Sequence, residues 1–193
     1  FTAPTPLAGD LFGASVAVDQ SHVIVGAPST DDATSGMNAG AAYVFTLGAG
    51  SPSLAGTLVP MSANANAGFG ADVDIDLPLA VVGSPRANTA RGTSTGAVGV
   101  YEFTSTWGRA DWIVPSDLLA GDFFGTSVSV DTDVILIGAP GSNGLAASSK
   151  VGGAYLYVDE GTAWIPGSKI RPSDAVAGDA VAFDVCVDRE KND

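Results

Sequence analysis

Along this chain apolar residues alternate with small or polar ones in four short stretches, Val16/Val18, Val73/Ile75, Val128/Val130 and Val185/Val187. A two-residue period is that of a β-strand with two unlike faces. The first three stretches are followed almost at once by continuous apolar runs, His22 to Val25, Leu79 to Val82 and Val134 to Ile137, the pattern of a strand covered on both faces. A loop of about ten residues rich in Gly, Ser, Asn and Thr then leads to a third predicted strand, Gly40 to Thr46, Gly96 to Phe103 or Gly153 to Val158, which carries Tyr43, Tyr101, Tyr155 and Tyr157. A shorter fourth strand is expected at Leu54 to Val59 and at Trp112 to Val114.

These elements recur. Phe12-Gly13, Phe69-Gly70 and Phe124-Gly125 are spaced by 57 and 55 residues, and Val181-Ala182 is a degenerate fourth copy 57 residues later. Gly26-Ala27-Pro28, Gly83-Ser84-Pro85 and Gly138-Ala139-Pro140 follow in step, and Pro4, Pro60, Pro115 and Pro172 precede. The expected architecture is all-β: blades of four antiparallel strands, with repeats at about 4–59, 60–114 and 115–171 and a partial one at 172–193. Such sheets bury their faces by stacking on one another, as propeller blades do.

Composition narrows the function. The 193 residues are 46% hydrophobic, enough for a core, but much of this is Ala and Val, and only 15% are charged. A net charge of −13 repels phosphate backbones, and the eight Lys and Arg form no stripe, so nucleic acid is excluded as a partner. No run of 18 apolar residues argues for membrane insertion. The chain begins at Phe1 with no leader, which reads as a processed or excised segment. Cys186 is the single cysteine and His22 the single histidine, so neither a disulfide framework nor a Cys/His zinc site is available, and a Ser-His-Asp triad would rest on His22 alone.

The stretch Ala-Gly-Asp-Leu-Phe-Gly-Ala-Ser-Val-Ala-Val-Asp from Ala8 to Asp19, followed by Val-Ile-Val-Gly-Ala-Pro and Gly-Ala-Ala-Tyr-Val-Phe, resembles the FG-GAP repeat of integrin-type β-propellers. The resemblance covers almost the whole chain. It implies an extracellular or cell-surface setting and a role in adhesion or matrix assembly. It also implies calcium, since many such blades hold the ion in an Asp-x-Asp-x-Asp-Gly loop after strand one. Here that loop is shortened to Asp19-Gln20-Ser21, Asp76-Leu77-Pro78 and Asp131-Thr132-Asp133, too few oxygens to complete a site alone.

The acidic residues supply the candidate chemistry. Asp19, Asp76, Asp131 and Asp188 recur at one position of the repeat. Each either closes a tight turn by accepting backbone N–H groups or contributes to a ring of carboxylates around a common axis. In the second unit Asp72, Asp74 and Asp76 form a period-two row, which needs a cation, a polar ligand, or pairing with Arg86 or Arg91. Asp188, Glu190 and Asn192 space oxygens like a calcium loop, so the candidate metal ligands are Asp72, Asp74, Asp76, Asp188, Glu190 and Asn192. Two neighbouring carboxylates, Asp72 and Asp74, also allow glycosidase-type hydrolysis in principle. Trp107, Trp112 and Trp164 suit packing at a blade rim, or stacking on sugar rings.

Three blades and a fraction do not close a ring, so the expected partners are a protein, further blades of the same or another chain, or a second copy. The expected function is an extracellular binding or structural module. It is not an enzyme, and the alternative is a secreted hydrolase using the acids of the second repeat. The loops Ser29 to Ala39, Arg86 to Thr95 and Gly141 to Gly152 differ most between units, which marks them as the contact surface.

Overall fold

The computed structural model describes residues 2–32, 34–62, 64–143 and 150–188. Twelve strands form three sheets of four, each antiparallel and in chain order. The first comprises β1 (Val16–Asp19), β2 (His22–Ala27), β3 (Ala41–Thr46) and β4 (Ser53–Leu58). The second comprises β5 (Val73–Asp76), β6 (Leu79–Ser84), β7 (Ala97–Phe103) and β8 (Trp107–Ile113), and the third β9 (Val128–Asp131), β10 (Val134–Gly138), β11 (Ala154–Asp159) and β12 (Trp164–Ile170). The fold is all-β with no helix among the described residues, and no helix long and apolar enough to cross a membrane is present there.

The strands of the three sheets fall where the periodicity puts them, except the fourth of the second sheet, which starts at Trp107 instead of Trp112, while the alternation at Val185/Val187 forms no strand, since no following strand pairs with it among the described residues. Its exposed middle, Gly108-Arg109-Ala110, has no apolar alternation because one side of this outermost strand meets only solvent. The third and fourth strands slip register at Val44/Phe45, Val100/Tyr101 and Tyr155/Tyr157, one bulge in each sheet at a matching place.

The core lies between sheets. Ile24 and Val44 of the first sheet meet Phe69, Val73, Ile75 and Tyr101 of the second, and Val81 and Val98 of the second meet Phe124, Val128 and Tyr155 of the third. Phe69 and Phe124 of the Phe-Gly pairs are fully buried between sheets, whereas Phe12 packs against the cluster of its own sheet, with ring contacts to Tyr43 and Phe45. Val16 and Val18, whose counterparts are buried in the second and third units, are 57% and 63% exposed.

Glycine marks the joints between sheets. Gly40, Gly96 and Gly152 each form a parallel bridge to the aromatic or valine position of the next unit, Phe69, Phe124 and Val181. A Cβ on Gly26, Gly83 or Gly138 would lie 2.1–2.2 Å from the carbonyl oxygen of Gly70, Gly125 or Ala182. The two glycines of the repeat are therefore where backbone meets backbone across the stack.

Candidate functional site: the inner strands and the loop face

The first strands β1, β5 and β9 lie side by side along the inner edge of the stack, each bonded to a sheet partner on one side only. Their inner N–H groups need other acceptors, and side chains of the preceding unit supply them. Ser15 Oγ accepts from Val73 N (3.2 Å), Asp72 Oδ2 from Val128 N (2.8 Å) and Ser127 Oγ from Val185 N (3.1 Å). One step further on, Asp74 Oδ2 accepts from Val130 N (2.8 Å) and Ser129 Oγ from Val187 N (3.2 Å). At the turn, Asp19 Oδ2 accepts from Leu77 N (2.9 Å) and Asp76 Oδ2 from Thr132 N (2.5 Å).

Of the recurring aspartates, Asp19 and Asp76 thus accept backbone N–H groups of the next unit's turn and not of their own, while Asp131 Oδ1 accepts from the Thr132 hydroxyl at 2.9 Å. The acidic row of the second unit belongs to the same ladder. Ser15 donates to Asp72 Oδ1 at 2.7 Å and Ser129 to Asp74 Oδ2 at 3.0 Å. One position breaks the pattern: Ala17 has no oxygen for Ile75 N, and Asp74 Oδ1 of that unit accepts this proton itself, at 2.9 Å. Sequence spacing suggests Arg86 or Arg91 as partners for these acids. The ion pairs among the described residues are instead Lys150–Asp122 and Lys169–Asp117.

Among the described residues no three His, Cys, Asp or Glu side chains converge to hold a metal. Asp72, Asp74 and Asp76 are engaged as strand acceptors, a poor fit to a calcium site, which needs oxygens free to face the ion. Asp188 is exposed, and Glu190 and Asn192 lie outside the described residues. Cys186 is free and exposed at the ladder position held by Ala17, Asp74 and Ser129. His22 is buried between Ser21 and Thr46 and packs against the rings of Phe103 and Trp107. Trp107 packs over Gly56 between sheets, and Trp112 stacks on Phe69 at 6.2 Å.

A further acidic residue, missed by spacing alone, caps a turn in three units. Asp10, Asp122 and Asp179 accept from Leu7, Leu119 and Val176 N at 3.0, 2.8 and 2.7 Å. The threefold Ala-Gly-Asp was the available signal.

At the end of the ladder where strand one begins and strand two ends, a pocket of about 520 Å³ opens. Pro28, Pro85 and Pro140 of the three Gly-x-Pro turns wall it, with Leu11, Phe123 and Phe183 from the turns before strand one. Ser29, Asn38 and Arg86 of the variable loops reach its mouth. A smaller recess of about 340 Å³ adjoins it along the inner strands, lined by Ser15, Asp72, Ser127 and Asp184.

The first variable loop is held by Asp32, whose Oδ1 accepts from Thr34 Oγ1 (2.6 Å), Ser35 N (2.6 Å) and Thr34 N (2.9 Å). These bonds, the Thr34 hydroxyl foremost, lower its pKa from 3.8 to about 2. A depressed carboxylate stabilises the fold above its unfolded pKa and loses that contribution as pH falls through the folded value. The turn is therefore expected to hold fully above about pH 4 and to open through pH 2, with a carboxyl carbon midpoint for Asp32 near 2 in an NMR titration. A midpoint near 4 would show that these bonds are not made in solution.

Stacked four-stranded antiparallel sheets joined at their inner strands define a module of β-propeller type. The chain is an FG-GAP repeat protein, and the FG-GAP repeat family matches residues 1–45 and 107–157. The second unit, of which residues 60–106 lie outside those matches, makes the same Gly70 N to Gly83 O bond that Gly13 and Gly26, and Gly125 and Gly138, make in the others. No curated protein sequence matches the chain.

Proposed function

We propose that this chain is a non-catalytic, extracellular binding and structural module that mediates adhesion or protein and matrix assembly through its loop face. The observation that carries this reading is the pocket between the three Gly-x-Pro turns: two of the loops that differ most between units reach it through Ser29, Asn38 and Arg86, around a concavity with apolar walls, while residues 144–149 of the third loop lie outside the described residues. Function concentrates on variable loops held by a rigid scaffold. FG-GAP repeats occur in extracellular and surface proteins, which supports the location. Against hydrolysis, Asp72 and Asp74 are committed to hydrogen bonds that join neighbouring strands.

The test uses the purified, tagged chain on intact cells and extracellular matrix from its source. Saturable binding is expected, falling at least about tenfold when exposed loop positions are charged, as in Met37→Glu with Arg91→Glu. Product release from polysaccharides by the native chain, abolished by Asp74→Asn, would overturn the reading in favour of a hydrolase.

A further inference from the structure

Away from the ladder and the loop face, the third sheet carries a cluster of reactive groups that the repeat does not require. Lys169 on β12 stands opposite Tyr155 on β11. At the matching register the first sheet pairs Tyr43 with Thr57 and the second Gly99 with Trp112, so amine and phenol meet in the third sheet alone. Lys169 Nζ donates to Asp117 Oδ2 at 3.1 Å and to the Tyr155 hydroxyl, and lies 4.1 Å from the centre of the Tyr155 ring. The Tyr155 hydroxyl donates to the same Asp117 oxygen at 3.3 Å. An amine, a carboxyl group and a proton donor are therefore in mutual contact within one chain, the condition under which a bimolecular condensation becomes unimolecular.

The surroundings suit each group to that step. The Lys169 side chain is 17% exposed, and burial moves its amine below the ordinary pKa although the Asp117 charge opposes this, which favours the neutral nucleophile. Tyr155 is buried, and burial first, then the charges of Asp117 and Asp122, push its phenol up, so it keeps a proton to give to the carboxylate. Asp117 is 55% exposed, which opens an exit for released water. The place also calls for a tie. β12 is the outermost strand, it is exposed from Ile165 to Ser168, it contains Pro166, and its register with β11 slips between Tyr155 and Tyr157, beside Lys169. An ion pair with a solvated carboxylate does little to hold such a strand.

We propose that Lys169 and Asp117 join in an intramolecular amide bond that fastens β12 to the segment before β9. The bond from Nζ to the carboxyl carbon forms, and one carbon–oxygen bond of the carboxylate breaks. The departing oxygen leaves as water with two of the three protons of the ammonium group, the third stays on the amide nitrogen, and no oxidant or other co-reactant is needed. The Tyr155 hydroxyl passes its proton to the departing oxygen and recovers one from the nitrogen. The closed loop runs from Asp117 to Lys169 and encloses β9, β10 and β11, so the third unit gains a covalent girdle that the other two lack. This modification is independent of what the loop face binds.

The experiment is the intact mass of the purified, folded 193-residue chain, followed by tryptic mapping. The chain is expected to weigh one water less than its sequence, with trypsin failing to cut after Lys169 and releasing a branched peptide that joins the segments holding Asp117 and Lys169. Lys169→Arg keeps the cation and should show the full sequence mass. Asp117→Asn should lose ammonia in place of water, because the same attack then expels the amide nitrogen. Tyr155→Phe keeps the packing and should slow bond formation at least about tenfold, read from the mass at intervals after a pulse of synthesis. The full sequence mass in the folded native chain would overturn the proposal. So would a loss of water that persists in Lys169→Arg, since it would report dehydration of an aspartate against its own backbone.

Discussion

Replacing Gly96 with alanine is expected to lower the unfolding free energy by about 4 kcal/mol, the largest effect of any single methyl group in this chain. Two costs coincide there. The residue has φ of +87°, which costs an L-residue roughly 1 kcal/mol or more. Its Cβ would also lie 2.0 Å from the carbonyl oxygen and 2.5 Å from the nitrogen of Phe124. These are backbone atoms in the joint between the second and third sheets. They can retreat only by lengthening the 3.0 Å bond from Phe124 N to Thr95 O, in a place where Phe124 is fully buried. Other glycines separate the two terms. Gly83→Ala meets the Gly125 oxygen at 2.1 Å without a positive φ and should cost about 2–3 kcal/mol. Gly9→Ala, with φ of +103° and open space, should cost about 1 kcal/mol. Gly48→Ala, with open space and no positive φ, should cost nothing or stabilise slightly. Urea unfolding of the four variants measures the series. Equal losses at Gly96 and Gly9 would mean that the sheets are not joined at this contact.

The same contact explains which parts of the molecule could be read from its sequence. Phe-Gly and Gly-x-Pro stand in register because each is fixed by backbone geometry: glycine where chains touch, phenylalanine where adjacent sheets close over it. Such demands act on residue type and leave a periodic trace. Strand one and strand two were legible for the same reason, since burial on one face or on both imposes its period. The start of β8 was not, because its outward middle is free of packing constraints. The ladder partners were also beyond local reading. Asp19 meets Leu77, Asp72 meets Val128 and Asp76 meets Thr132, partners 56 to 58 residues away, chosen by how units stack. A trace of this was present in the alternation of Ser15, Asp72, Ser127 and Asp184 at one repeat position, all short acceptors. The pocket left no trace of its own. It arises where prolines and turn residues from separate units converge.

Asp74 provides the sharpest test of whether the acidic row is scaffold or chemistry. Its two oxygens satisfy two backbone donors that belong to buried residues: Oδ1 serves Ile75 N, which Ala17 leaves without a partner, and Oδ2 serves Val130 N. Asp74→Ala strands both. A buried N–H without an acceptor costs about 1–3 kcal/mol, so the expected loss is about 3–4 kcal/mol in urea unfolding. Asp74→Asn keeps one carbonyl oxygen and can serve one of the two donors, so it should lose about half as much. Ala17→Ser then becomes informative, because a serine at this position would offer Ile75 N what Ser15 Oγ offers Val73 N. Added to Asp74→Asn, it should recover about 1 kcal/mol. The rescue depends on strand geometry and on nothing a metal or a substrate would supply. If Asp74 acted as an acid, a base or a cation ligand, the asparagine variant would lose function as completely as the alanine variant, and a serine on the neighbouring strand would restore nothing.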